Sequence, residues 1–127
     1  MLLDDDLKQL YARALISIAR TEGNIETEVG ERLAERIDLR SDLVLEDLLL
    51  EGALSPDELA AAIRGAPFRG VSVRADVVAR RLVDDALYVV LAKGHVTAEE
   101  GDRMWRYATA LGLPADEFRQ LTVRWLP

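Results

Sequence analysis

The chain has no cysteine and one histidine, His95. The first absence excludes disulfides, thiolate zinc sites, iron–sulfur clusters and a thiol nucleophile. The second excludes a metal centre built from several imidazoles. No apolar run approaches the ~20 residues that span a bilayer. The opening residues, MLLDDDLKQL, carry acids where a secretory signal carries bases, so a soluble cytoplasmic protein is expected. A glycine-rich phosphate cradle, a G-x-S-x-G elbow and an H-E-x-x-H motif are all missing. Positive charge is also short: 16 Lys and Arg stand against 23 Asp and Glu, a net charge of −7. That balance opposes nucleic acid and anionic membrane surfaces, both of which reward phosphate neutralisation. It suits solubility, a cationic partner or divalent ions.

What is present is helical. The 127 residues, 50% of them hydrophobic and 31% charged, fit one compact globular domain. In Asp4 to Thr21, residues Leu7, Leu10, Tyr11, Ala14, Leu15 and Ile18 follow the i, i+3, i+4, i+7 stripe of a helix. Gly23 ends it. A second helix is predicted from about Glu26 to Asp38, with Val29, Leu33 and Ile37 inward and Glu28 paired to Arg32 on the wet face. A nearly all-apolar third helix follows the cap Ser41 and is expected at the centre of the core. In SPDEL, Ser55 caps, Pro56 takes the first helical position and Glu58 closes a capping box, and this fourth helix reaches about Arg64. GAPFRG, Gly65 to Gly70, is a loop. A long fifth helix runs from about Val73 to Lys93, with Ala79, Leu82, Val83, Ala86, Leu87, Val90 and Leu91 buried. Its first residues, within Val71 to Val77, are the only rival for a strand. Gly94 stops it, Thr97 and Glu100 form a second capping box, and a sixth helix continues to about Leu111 with Trp105 at the edge of its inner face. Gly112 stops that helix. Pro114 opens a last one, in which Phe118, Leu121, Thr122 and Trp125 share a face. The class is therefore all-α, a bundle of about seven helices.

The two glycine corners look alike. In EGNIETEVGERL and KGHVTAEEGDRM, Gly23 aligns with Gly94, Ile25 with Val96, Glu28 with Glu99, Gly30 with Gly101 and Arg32 with Arg103. A duplicated helical hairpin explains this, with halves of roughly 1–64 and 71–127. Gly30 and Gly101 each cost ~1 kcal/mol relative to alanine inside a helix, and close passage of a neighbouring helix is the expected compensation.

The chemistry such corners support is limited. A calcium loop needs oxygen ligands at fixed places before its glycine and a glutamate six residues after it. With Gly23 as that glycine, Ile18, Arg20 and Val29 occupy those places, and with Gly94 the preceding ones are Val89 and Leu91. A looser carboxylate site for a hard divalent cation draws on Glu22, Glu26 and Glu28, with Glu99, Glu100 and Asp102 at the second corner and Asp84 and Asp85 inside the fifth helix. The competing reading is that acids at helix starts serve caps and the helix dipole. His95 follows a turn and is expected in solvent. Arg32, Arg36, Arg40, Arg80, Arg81, Arg103 and Arg106 share helix faces with acids, which fits ion pairing and stem packing. Trp105 and Trp125 mark a protein interface if exposed.

The stretch Ala19 to Leu33, ARTEGNIETEVGERL, its echo VLAKGHVTAEEGDRM and the ending ALGLPADEFRQL together resemble the TerB-like tellurite-resistance family. With the helix order, the resemblance covers most of the chain. It implies an all-helical domain of two similar halves, in a bacterial cytoplasmic protein of tellurite or metal-stress response. It also implies a non-catalytic role beside protein partners, with divalent-metal binding by acids at the corner. The family's corner aspartate position holds Glu22 in the first copy and Lys93 in the second, and a lysine does not ligate a cation without losing its proton. The expected function is accordingly a non-enzymatic interaction domain with another protein as partner. A divalent-metal or tellurium-oxyanion sensor is the alternative, and a carboxylate hydrolase the third.

Overall fold

A computed structural model describes residues 5–20, 25, 27–40, 54–64, 67–68, 71–72 and 74–125. Within them the chain is helical, as expected. Helix α1 is Asp5–Ala19, α2 Thr27–Arg40, α3 Pro56–Arg64, α4 Ala75–Val90 continued by a 3-10 turn Leu91–Lys93, α5 Ala98–Ala110 and α6 Ala115–Thr122. Gly23 and the expected helix after Ser41 lie outside the described residues. One departure is small: Pro67–Phe68 (β1) and Val71–Ser72 (β2) pair antiparallel, with Pro67 opposite Ser72 and Phe68 opposite Val71. The rival strand reading thus holds for two residues, too short a ladder to be stable by itself. No helix among the described residues is long and apolar enough to cross a membrane.

The termini of these helices follow from local chemistry. Ser55 Oγ accepts the Glu58 N–H at 3.1 Å, and α3 begins on Pro56. Thr97 Oγ1 accepts the Glu100 N–H at 3.2 Å, while Glu100 Oε1 accepts the Thr97 N–H at 2.9 Å, a complete capping box. Gly94 and Gly112 take φ of 93° and 82°, the left-handed conformation that a β-carbon penalises. At the second of these, the Leu113 N–H reaches Ala108 O and the Gly112 N–H reaches Thr109 O, which closes a Schellman motif.

Helix α4 lies at the middle of the described structure, in contact with α1, α2, α3, α5 and α6. Val78, Ala79, Leu82, Val83, Ala86, Leu87, Val89 and Val90 are all buried, so it is covered on more of its circumference than the expected stripe. Around it pack Tyr11, Leu15 and Ile18 of α1, Val29, Leu33 and Ile37 of α2, Leu59 and Ile63 of α3, Met104 and Tyr107 of α5, and Phe118 of α6. Each such side chain contributes about 1.5–3 kcal/mol by leaving water. At Gly30 the expected passage is not made by any described helix: among the described residues a β-carbon there would meet Ile25 Cγ2 alone, at 3.5 Å, an ordinary contact.

Candidate functional site: buried polar contacts and an exposed face

Three polar regions surround α4, and two of them are closed. At the α4–α5 corner Glu100 is fully buried, at 0% exposure. Besides the Thr97 amide, its carboxylate accepts the Thr97 hydroxyl at 3.0 Å and the Lys93 ammonium. Three donors of the chain thus engage this buried carboxylate, so Glu100 is a structural strut. Glu99 is exposed and pairs with Arg103 Nη2 at 3.2 Å. The other Arg103 nitrogen donates to Ile18 O and Arg20 O, which gives the last carbonyls of α1 the cation they favour. Arg103 thus ties the end of the first long helix to the second corner.

Of the acids weighed for a cation, Glu28 is exposed on α2 and Glu99 is engaged with Arg103. Glu22 and Glu26 lie outside the described residues. Among the described residues no group of three or more His, Asp or Glu is placed to hold a metal ion. His95 is exposed, as expected.

The second closed region joins α2 to α4. The expected Glu28–Arg32 pair does not form. Arg32 turns instead to donate to Tyr88 O at 2.9 Å, with its guanidinium 4.8 Å from the Tyr88 ring centre and that of Arg36 at 4.1 Å. Two cations on one aromatic ring gain more than an exposed ion pair offers. The Tyr88 hydroxyl donates to Glu35 Oε2 at 2.8 Å. That hydrogen bond, with desolvation and the Glu35 charge, pushes the Tyr88 hydroxyl above its ordinary pKa against the opposing pull of Arg32 and Arg36. Below the ring, Asp85 is 1% exposed. It accepts the Tyr11 hydroxyl and lies 3.7 Å from Arg36 Nε. The sequence groups Asp85 with Asp84 as candidate cation ligands, but the fold separates them: Asp84 faces outward and Asp85 faces the core. The available signal was that Asp85 lies three residues past Leu82 and four before Val89, on the buried stripe. Nothing local named Tyr11 as its partner. Tyr107, also missed, sends its hydroxyl to Leu54 O, and burial pushes that hydroxyl's pKa up.

The third region is open. Val77, Arg80, Arg81 and Asp84 of α4 and Leu121 of α6 line a shallow groove of about 350 Å³. Arg80 bridges the two helices, with its Nε 2.7 Å from Glu117 Oε2 and Nη1 3.4 Å from Asp76 Oδ2. Asp76 also takes two bonds from Arg74, at 3.2 and 2.7 Å. Desolvation raises its pKa, but the Arg74 hydrogen bond and charge, with Arg80, outweigh that and hold it below the ordinary carboxylate value. Beyond the groove the large apolar side chains that stay in water are, among the described residues, Trp105 at 37%, Trp125 at 45% and Val123 at 72% exposure. The Trp105 ring tilts at 60° on buried Phe118, with centroids 5.1 Å apart, so α6 supports it from beneath. Both tryptophans singled out in the sequence therefore meet the condition set for them.

No family model matches the chain, and no curated protein or solved structure matches it. The TerB-like resemblance therefore rests on the corner and C-terminal residues that carry it.

Proposed function

We propose that the chain is a non-catalytic helical binding domain, of TerB-like kind, that engages another protein through the face formed by α5, α6 and the α4–α6 groove. The observation that carries this reading is the location of Trp105, Val123 and Trp125. Among the described residues the exposed large apolar side chains all lie on α5 or just past α6. Tryptophan left in water and backed by a rigid core is the kind of anchor that concentrates binding energy. The two buried acids add support, because Asp85 and Glu100 are each engaged by neighbouring side chains and hold helices together. A role in tellurite or metal-stress response belongs to the same proposal and follows from the resemblance alone.

The test is a Trp105→Ala, Trp125→Ala double variant, used beside the parent to capture partners from the source organism. Any recovered protein is then purified and titrated into both forms. Hot-spot loss predicts about 30-fold weaker binding with little change in Tm. Equal affinity of the two forms would refute the face. Titration with Ca²⁺, Mg²⁺, Mn²⁺ and Zn²⁺ tests the sensor alternative: a saturable heat with a thermal shift would move the reading to a cation site.

A further inference from the structure

The α4–α6 groove carries a charge pattern that narrows the partner. Val77, Arg81 and Asp84 follow one another at i, i+4 and i+7, so they form one stripe along α4. Every other charged group of α4 is spoken for within the chain. Asp76 is held by Arg74 and Arg80, Arg80 by Glu117, and Asp85 by Tyr11 and Arg36. Among the described residues Arg81 and Asp84 make no ion pair, though both line the groove and Arg81 is half-buried. They are opposite in sign and three residues apart, about 4.5 Å along the helix axis.

From this we infer that the groove is the contact surface of a homodimer, in which a second copy of the chain lies on the first across a two-fold axis between Arg81 and Asp84. The inference rests on the reading of this face as a protein-contact surface and assigns its groove a second copy of the chain. A two-fold axis perpendicular to α4 sets the second α4 antiparallel to the first. Arg81 of each copy then meets Asp84 of the other, and one symmetry operation makes two ion pairs. The same operation brings Val77 and Leu121 of both copies to the two flanks of those pairs. A parallel arrangement would oppose arginine to arginine and aspartate to aspartate, so the pattern selects against it. The remaining charges around the groove, Asp76, Arg80 and Glu117, are already neutralised within each copy.

The experiment is sedimentation velocity on the purified chain from about 1 µM to about 300 µM. The variants are Arg81→Asp, Asp84→Arg, an equimolar mixture of the two, and the double exchange in one chain. The parent is expected to dimerise within this range. Each single exchange sets like charges across the axis and weakens self-association by about tenfold or more. The mixture and the double exchange restore it, because every cation again meets an anion. A parent that stays monomeric throughout overturns the inference, and so does a dimer that both single exchanges leave intact. If an exchange disturbs folding by circular dichroism, Arg81→Gln and Asp84→Asn take its place and are each expected to weaken the dimer. A monomeric parent whose Trp105 and Trp125 still govern capture of another protein would sink the dimer alone. Loss of both behaviours would sink the contact face as well.

Discussion

The two flanks of α4 treat charge in opposite ways. On the α2 side, Arg32, Arg36, Glu35, Tyr88, Asp85 and Tyr11 close on one another, and the innermost carboxylate is almost fully desolvated. On the α6 side, among the described residues, one bridge from Arg80 to Glu117 joins the helices, and Arg81 and Asp84 stay open along a groove. Helix α2 has few apolar residues with which to dock, chiefly Val29, Leu33 and Ile37, so polar and cation–π contacts supply much of its hold on α4. Helix α6 buries Phe118 and Thr122 and leaves Arg119, Gln120 and, past its end, Trp125 in water. The closed flank holds its charges inside the fold, and the open one leaves Arg81 and Asp84 along the groove; contact with a partner through the open flank is our proposal.

That contrast can be broken by mutation. The largest effect is expected at the closed flank, where Asp85→Ala removes the acceptor of Tyr11 and the counter-charge of Arg36. Breaking a buried pair from one side costs about 3–5 kcal/mol, to be read from urea unfolding. A cost below about 1 kcal/mol would mean that the pocket rehydrates and the flank is less closed than its geometry indicates. A smaller effect should follow alkali. The Tyr88 and Tyr107 hydroxyls are both raised in the fold, so each favours the folded state fully while pH is below the unfolded tyrosine value. That contribution is lost as pH climbs through the raised folded values. Phenolate absorbance should accordingly titrate later in the folded chain than in denaturant, and stability should fall over the same alkaline interval. Coincident titration in the two states would contradict the contacts drawn here. The smallest effects belong to the open flank. Glu117→Gln should change unfolding stability by no more than about 1 kcal/mol, because partly exposed ion pairs are screened and entropically costly. Arg81→Gln should change it still less and act only on self-association.

How much of this was legible beforehand depends on the distance over which each interaction works. The Thr97–Glu100 box, the Ser55 cap and the Gly94 and Gly112 stops involve residues within about five positions, and each stood where the letters indicated. Burial of Tyr11, Ala14, Leu15 and Ile18 in α1 and of Val29, Leu33 and Ile37 in α2 also followed from periodicity alone. The Glu28–Arg32 pair failed because a helix surface offers a neighbour but cannot forbid a better one elsewhere. Arg32 found Tyr88, 56 residues away. At Gly30 the expected close passage finds no partner among the described helices, for a related reason: sequence shows that a glycine stands in a helix, but not which element packs against it. Of the exposed tryptophans, Trp105 stands in sequence at the margin of its helix's inner face, but its exposure depended on where α6 came to rest.

The amino-acid order alone determined a helical chain and where most of its described helices start and stop, because caps, glycine turns and apolar spacing act within one or two turns of backbone. Tertiary structure alone decided that Asp85 turns inward to Tyr11, 74 residues away, that Arg103 caps α1 across 83 residues at Arg20, and that Arg81 and Asp84 are left facing a groove. The physical reason is desolvation. Whether a charge needs a partner, and which one it can reach, is settled only when the packed helices have excluded water from one side of it and left water on the other.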